Sequence, residues 1–149
     1  MEGYFFIGIT VLVIEHKVDY LLPFEPRLLV MDRGSIVYDG SYDGFPRPTA
    51  ERPKRALPAP DTTGKPVVRL EGACLGYNGS PVLQDLSLSV WPGDFVAVMG
   101  DNGSGKTTLM NTVSGLIIDT KIKEQRKGGE RITIYGRVIF EGEDITDLY

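Results

Sequence analysis

The nine residues Gly100-Asp101-Asn102-Gly103-Ser104-Gly105-Lys106-Thr107-Thr108 stand between two segments of opposite character. Before them, after the turn Pro92-Gly93, runs Asp94-Phe95-Val96-Ala97-Val98-Met99, the continuous apolar pattern of a buried parallel strand. After them Leu109, Val113, Leu116 and Ile117 recur at helical spacing. A strand, a glycine-rich loop and a helix in that order commit the chain to an α/β architecture with a parallel sheet. Gly100, Gly103 and Gly105 let the backbone turn tightly and gather successive amides without a Cβ clash. The amides of the helix start point to the same place, so the loop is built for an anion. Lys106 is placed to reach the β and γ phosphates of a nucleoside triphosphate, Thr107 to ligate Mg²⁺, and Thr108 to donate to the α phosphate. A glycine-rich surface turn would also carry some of these residues, but it would not arrive with both a strand and a helix.

Upstream lie Val67-Val68-Arg69-Leu70-Glu71, then Leu75-Gly76-Tyr77-Asn78-Gly79-Ser80-Pro81-Val82-Leu83, then alternating Leu86, Leu88 and Val90 before Trp91-Pro92-Gly93. This pattern predicts an antiparallel sheet turning at Asn78-Gly79. With the phosphate loop, it resembles the opening of an ATP-binding cassette (ABC) ATPase domain. The resemblance implies the P-loop NTPase fold, here a partial core with an antiparallel β subdomain, and the cofactors ATP and Mg²⁺. It also implies that Tyr77 stacks on adenine, although a half-buried strand tyrosine would look the same in sequence. Downstream, Gly136-Arg137-Val138-Ile139-Phe140-Glu141-Gly142-Glu143-Asp144-Ile145 resembles the family's next strand and turn.

The N-terminal stretch resembles a different part of the same family. Ile9-Thr10-Val11-Leu12-Val13-Ile14-Glu15-His16 is similar to the late strand ending in the switch histidine, and Leu28 to Gly40 to the hairpin that follows it. Pro26 stands before Arg27 where the family usually has an aspartate. By resemblance His16 would hydrogen-bond the γ phosphate and position the attacking water; read by itself, it is also compatible with a solvated loop histidine. The implied organisation is the C-terminal end of a first ABC ATPase domain (1–45), a proline-rich linker (46–66) and the N-terminal part of a second domain (67–149). The linker holds Pro46, Pro48, Pro53, Pro58, Pro60 and Pro66, which reads as a semi-extended spacer more simply than as a recognition site.

Nothing in the chain resembles the family's signature segment, and no apolar strand ends in an Asp-Glu pair. ATP binding without turnover by the chain alone is therefore expected. In a tandem protein, His16 and Lys106 would serve different ATP molecules. A permuted alternative has residues 9–14 and 28–31 pairing on either side of residues 95–99, which would bring His16 toward Lys106 in one molecule and leave one sheet edge open.

The chain has 149 residues, 42% of them hydrophobic and 24% charged, too few for two whole ATPase domains but enough for one modest core. Its net charge of -4 argues against a nucleic-acid partner. The basic stretch Lys121, Lys123, Arg126 and Lys127 reads as a solvated loop. The apolar run from Tyr4 to Ile14 is shorter than the roughly 20 residues that span a bilayer, and Cys74 is the single cysteine. The resemblance implies the ATPase subunit of a membrane transporter, cytoplasmic and peripheral at the inner face, with membrane permease subunits and a second ABC ATPase domain as partners. The segment Ile14 to Leu21 resembles the energy-coupling-factor type of tandem cassette. The alternatives are a piece of a soluble regulatory ABC ATPase and an inactive truncated product.

Overall fold

A computed structural model of the chain describes residues 9–15, 20–41, 60–117, 129 and 131–146. The strands are β1 (Val11–Ile14), β2 (Arg27–Asp32), β3 (Ser35–Ser41), β4 (Val68–Tyr77), β5 (Ser80–Val90), β6 (Phe95–Gly100), β7 (Ile132–Phe140) and β8 (Glu143–Asp144); a short 3-10 turn spans Leu22–Phe24, and the helix α1 (Lys106–Val113) follows β6. They form two four-stranded sheets, ordered β1-β6-β2-β3 and β5-β4-β7-β8. The fold is α/β: a partial nucleotide-binding-type core plus an antiparallel sheet, as expected from the motif and its neighbours.

β6 is the interior strand that its apolar run predicts. It pairs in parallel with β1, Val11 opposite Phe95 to Ile14 opposite Val98, and in parallel with β2, Arg27 opposite Val96 to Met31 opposite Gly100. The N-terminal strands therefore flank the strand that delivers the loop, which is the permuted arrangement. The strand's period of two then divides its side chains. Val96 and Val98 join Leu29, Met31, Leu109 and the inner face of the antiparallel sheet in the main core, while Ala97 and Met99 join Leu21 and Leu28 in a smaller cluster behind the sheet. Phe24 meets Phe95 edge-on there, with ring centroids 6.0 Å apart.

The antiparallel sheet also follows its pattern. Tyr77 and Ser80 pair across Asn78 (φ 51°) and Gly79 (φ 83°), the double left-handed geometry of a two-residue hairpin. Leu70, Ala73, Leu75, Leu83, Leu86, Leu88, Val90, Ile132 and Val138 turn inward. Asn78 Oδ1 accepts from the Arg131 N–H at 2.9 Å, tying that hairpin to the start of β7.

The helix differs from its sequence pattern. Spacing predicts one helix running through Leu116 and Ile117; α1 instead stops at Val113, and helical conformation returns at Leu116 and Ile117. Gly115 takes a left-handed conformation (φ 73°), and its N–H donates to the Thr112 carbonyl at 3.1 Å, which closes the last turn. Leu116 is exposed as a result, whereas Ile117 still reaches the core. His16, residues 46–59 of the proline-rich segment and the basic stretch 121–127 lie outside the described residues.

Candidate functional site

The site is built at the C-terminal end of β6, where the strand passes into the loop. Gly100 must be small: a Cβ there would strike the Met31 carbonyl of the adjacent strand and lie 2.6 Å from Ser104 Oγ. The loop then turns on a bond from the Ser104 N–H to the Asp101 carbonyl at 3.2 Å. Asp101, Asn102 and Gly103 form its exposed crest, while Ser104, Gly105 and Lys106 are buried at its base. α1 begins without a side-chain cap on Gly105, and the bond from Leu109 N–H to the Gly105 carbonyl, 2.8 Å, closes its first turn. Amides before Leu109 have no acceptor one turn back within the helix, so they are donors available to an anion at the loop.

Lys106 is only 7% exposed. Its ammonium donates to the Gly100 and Asp101 carbonyls, both at 2.8 Å, with Ser104 Oγ at 3.5 Å. Of three N–H donors, two are held by the loop itself, and the third, weakly engaged by Ser104, is the one a phosphate oxygen can take. Thr107 is exposed at the helix start and Thr108 half-buried behind it; the Thr108 carbonyl accepts from Thr112 Oγ1 at 2.7 Å. The donor set suits a polyphosphate: one charged donor, helix-start amides and a free-standing hydroxyl. For Mg²⁺ the protein offers the Thr107 hydroxyl, and among the described residues no cluster of three His, Cys, Asp or Glu could hold a metal. Such a cation would take its remaining ligands from phosphate and water, the usual habit of Mg²⁺ at nucleotides.

Other predicted positions are less closely gathered. Tyr77 ends β4 on the antiparallel sheet, half-buried against the main core. The Glu15 N–H donates to the Val98 carbonyl at 3.2 Å, so β1 ends beside the last turns of β6, on the loop's side of the sheet.

The structure also shows loop neighbours that the motif did not name. The turn between β2 and β3, Arg33-Gly34, lies against the loop: the Gly34 N–H donates to the Ser104 carbonyl at 3.0 Å. Met31, Val82 and Leu83 line the same contact. Below it, Arg27 bonds both Asp39 oxygens at 2.7 Å, donates to the Ser89 carbonyl at 2.7 Å and reaches buried Asp94 at 3.4 Å. Bonding to Asp39, with the Asp94 charge nearby, raises the Arg27 pKa above its ordinary value against the opposing effect of burial. The signal was present as Arg33-Gly34 between two extended runs, a hairpin turn whose partner sequence cannot name.

The family model described as ABC transporter matches residues 83–147, a span that contains the whole loop and helix. A protein of Sulfurisphaera tokodaii named as an ABC transporter ATP-binding protein is 29% identical over 144 residues, 93% of this chain and 28% of the relative. Residues 83–147 belong to the ABC transporter family. A similarly named protein of Treponema denticola is 35% identical over 126 residues, covering 73% of this chain and 26% of its own length. An aliphatic sulfonates import ATP-binding protein of Delftia acidovorans is 44% identical over 54 residues, 36% of this chain and 22% of the relative. The chain thus spans about a quarter of the length of these curated ABC relatives. No solved structure matches it. Among its described residues no helix is long and apolar enough to cross a membrane.

Proposed function

We propose that this chain binds Mg-ATP at residues 100–108 as the nucleotide-binding part of an ABC transporter ATPase subunit. One observation carries the reading: buried Lys106, the exposed Thr107 hydroxyl and the uncapped start of α1 converge at the end of an interior parallel strand. Lys106 would hold the β and γ phosphates, Thr107 a Mg²⁺ ion bridging them, and Thr108 the α phosphate. The bound cation would neutralise phosphate charge. Tyr77 would stack on the adenine and His16 would address the γ phosphate, in keeping with their motif contexts. The segments 1–45, 46–66 and 67–149 are the end of one cassette, a linker and the start of the next. The subunit would work in the cytoplasm at the inner membrane face, with permease subunits and a second ATPase domain. Among the described residues no strand ends in an Asp-Glu pair, which supports binding by this chain without steady turnover.

Calorimetric titration with Mg-ATP tests this, with Lys106→Ala as the control. The wild type is expected to bind and the variant to lose roughly 1.5–3 kcal/mol, the worth of a charged hydrogen bond. Equal binding by both proteins would place the nucleotide elsewhere. Steady ATP hydrolysis abolished in Lys106→Ala would overturn the claim of binding without turnover.

A further inference from the structure

We propose that Gly34, in the turn of the β2–β3 hairpin, is a positioning residue for the phosphate loop, so that the N-terminal segment sets how tightly residues 100–108 hold the phosphates of a nucleotide. The inference rests on the nucleotide reading above and extends it to a segment that precedes the loop by more than half a hundred residues in sequence.

The contact is made by backbone. Gly34 donates its N–H to the Ser104 carbonyl at 3.0 Å. A peptide unit is planar and trans, so the carbonyl of Ser104 and the N–H of Gly105 point in opposite directions across one rigid plate. Holding the carbonyl on the hairpin therefore aims the Gly105 amide away from the hairpin, and it fixes the peptide plane immediately before Gly105, one residue ahead of Lys106. The loop cannot choose that orientation by side-chain capping, because Gly105 has none to offer.

The hairpin turn is itself clamped. The Gln84 N–H donates to the Gly34 carbonyl at 2.9 Å, Gln84 Nε2 to the Arg33 carbonyl at 3.2 Å, and Ser35 Oγ to the Gln84 carbonyl at 3.2 Å. Space around the turn is closed. A Cβ on Gly34 would strike the Val82 carbonyl and come within 3.2 Å of the Leu83 Cα, and the conformation (φ 83°) is one that L side chains avoid. On the other side, the Cβ position of Gly105 lies 3.5 Å from the Gly34 Cα and 3.0 Å from Leu83 Cδ2. Turn, loop and β5 thus meet backbone to backbone, and any side chain at residue 34 must separate the turn from β5 or from the loop.

The experiment uses the full chain and measures the affinities of ATP and AMP side by side. AMP lacks the β and γ phosphates, so a misaimed loop penalises ATP more than AMP, whereas a general loss of stability weakens both together. Gly34→Ala is expected to reduce ATP affinity about tenfold, equivalent to roughly 1.4 kcal/mol, with AMP affinity nearly unchanged. Gln84→Ala frees the Arg33 carbonyl without inserting an atom, and is expected to shift the ATP to AMP ratio in the same direction by a few fold. It carries the test if Gly34→Ala does not fold. A folded variant pair with wild-type ATP to AMP ratios would overturn the inference alone, as would a proportionate loss of both ligands. Failure of the wild type to bind ATP would overturn the nucleotide reading and the inference together.

Discussion

The two sheets of this chain are covered in different ways. β6 and β2 are buried on both faces: Val96 and Val98 look into the main core with Leu29, while Ala97 and Leu28 pack behind the sheet, all at 0% exposure. The antiparallel sheet is covered on one face only. Its inward leucines alternate with an outer surface of Arg69, Glu71, Ser87, Tyr135 and Arg137. Parallel strands need cover on both sides because their connections cross the faces, while antiparallel hairpins can leave one face to water. The phosphate loop hangs from the doubly covered sheet. A loop that must hold several amides in one geometry is better served by a strand that cannot shift than by one with a solvated face.

The largest test of that contrast pairs Leu29→Ala with Tyr135→Ala. Leu29 is wholly buried, and its truncation is expected to cost about 2–5 kcal/mol in urea unfolding. Tyr135 is 68% exposed on the outer face, and its loss is expected to stay within roughly 0.5 kcal/mol. Comparable costs at the two sites would mean that the outer face is covered in solution, and the contrast would fail.

A second test asks what locks the N-terminal strands onto the rest. Asp94 is 3% exposed, accepts from the Trp91 N–H at 2.8 Å and faces Arg27 at 3.4 Å. Asp94→Ala leaves the Trp91 amide without that acceptor and removes one of the two carboxylates beside Arg27. The expected loss is about 1–3 kcal/mol, the cost of an orphaned buried donor. Nucleotide affinity should fall with it if β2 supports the loop, and an unchanged affinity in a destabilised variant would separate the two.

Legibility in sequence follows the reach of each signal. The strand, loop and helix around Lys106 were readable because each rests on local spacing, and so was the hairpin at Asn78-Gly79. The break in the helix was not legible because Leu116 and Ile117, themselves helical, continue the apolar period across Gly115, whose left-handed backbone interrupts it. The neighbours of β6 were open between two arrangements, since pairing across the proline-rich segment is a tertiary choice; the strand pattern in residues 9–14 and 28–31 is the same in both. Gly34 looked like any hairpin glycine. Its use became visible only when Ser104 and Val82 were found on either side of it.

The smallest effect belongs to the outer face of the antiparallel sheet, where Arg137 bonds Asp144 at 2.8 Å and Glu71 at 3.1 Å. Asp144 also accepts from Thr146 Oγ1 at 2.6 Å. The Thr146 hydroxyl first, and Arg137 next, hold the Asp144 carboxyl down at about 2. A carboxylate depressed in the folded state stabilises it above the unfolded pKa, near 3.9, and loses that contribution as pH falls through the folded value. Wild type and Asp144→Asn should therefore differ by a constant small amount in thermal midpoint above about pH 5 and converge toward pH 2. Because the hydroxyl is the larger cause, high salt should shrink the difference without abolishing it. The Arg27 and Asp94 contact is partly buried and should resist the same salt, so a matching salt response at both arginines would erase the distinction between the doubly covered sheet and its half-exposed neighbour.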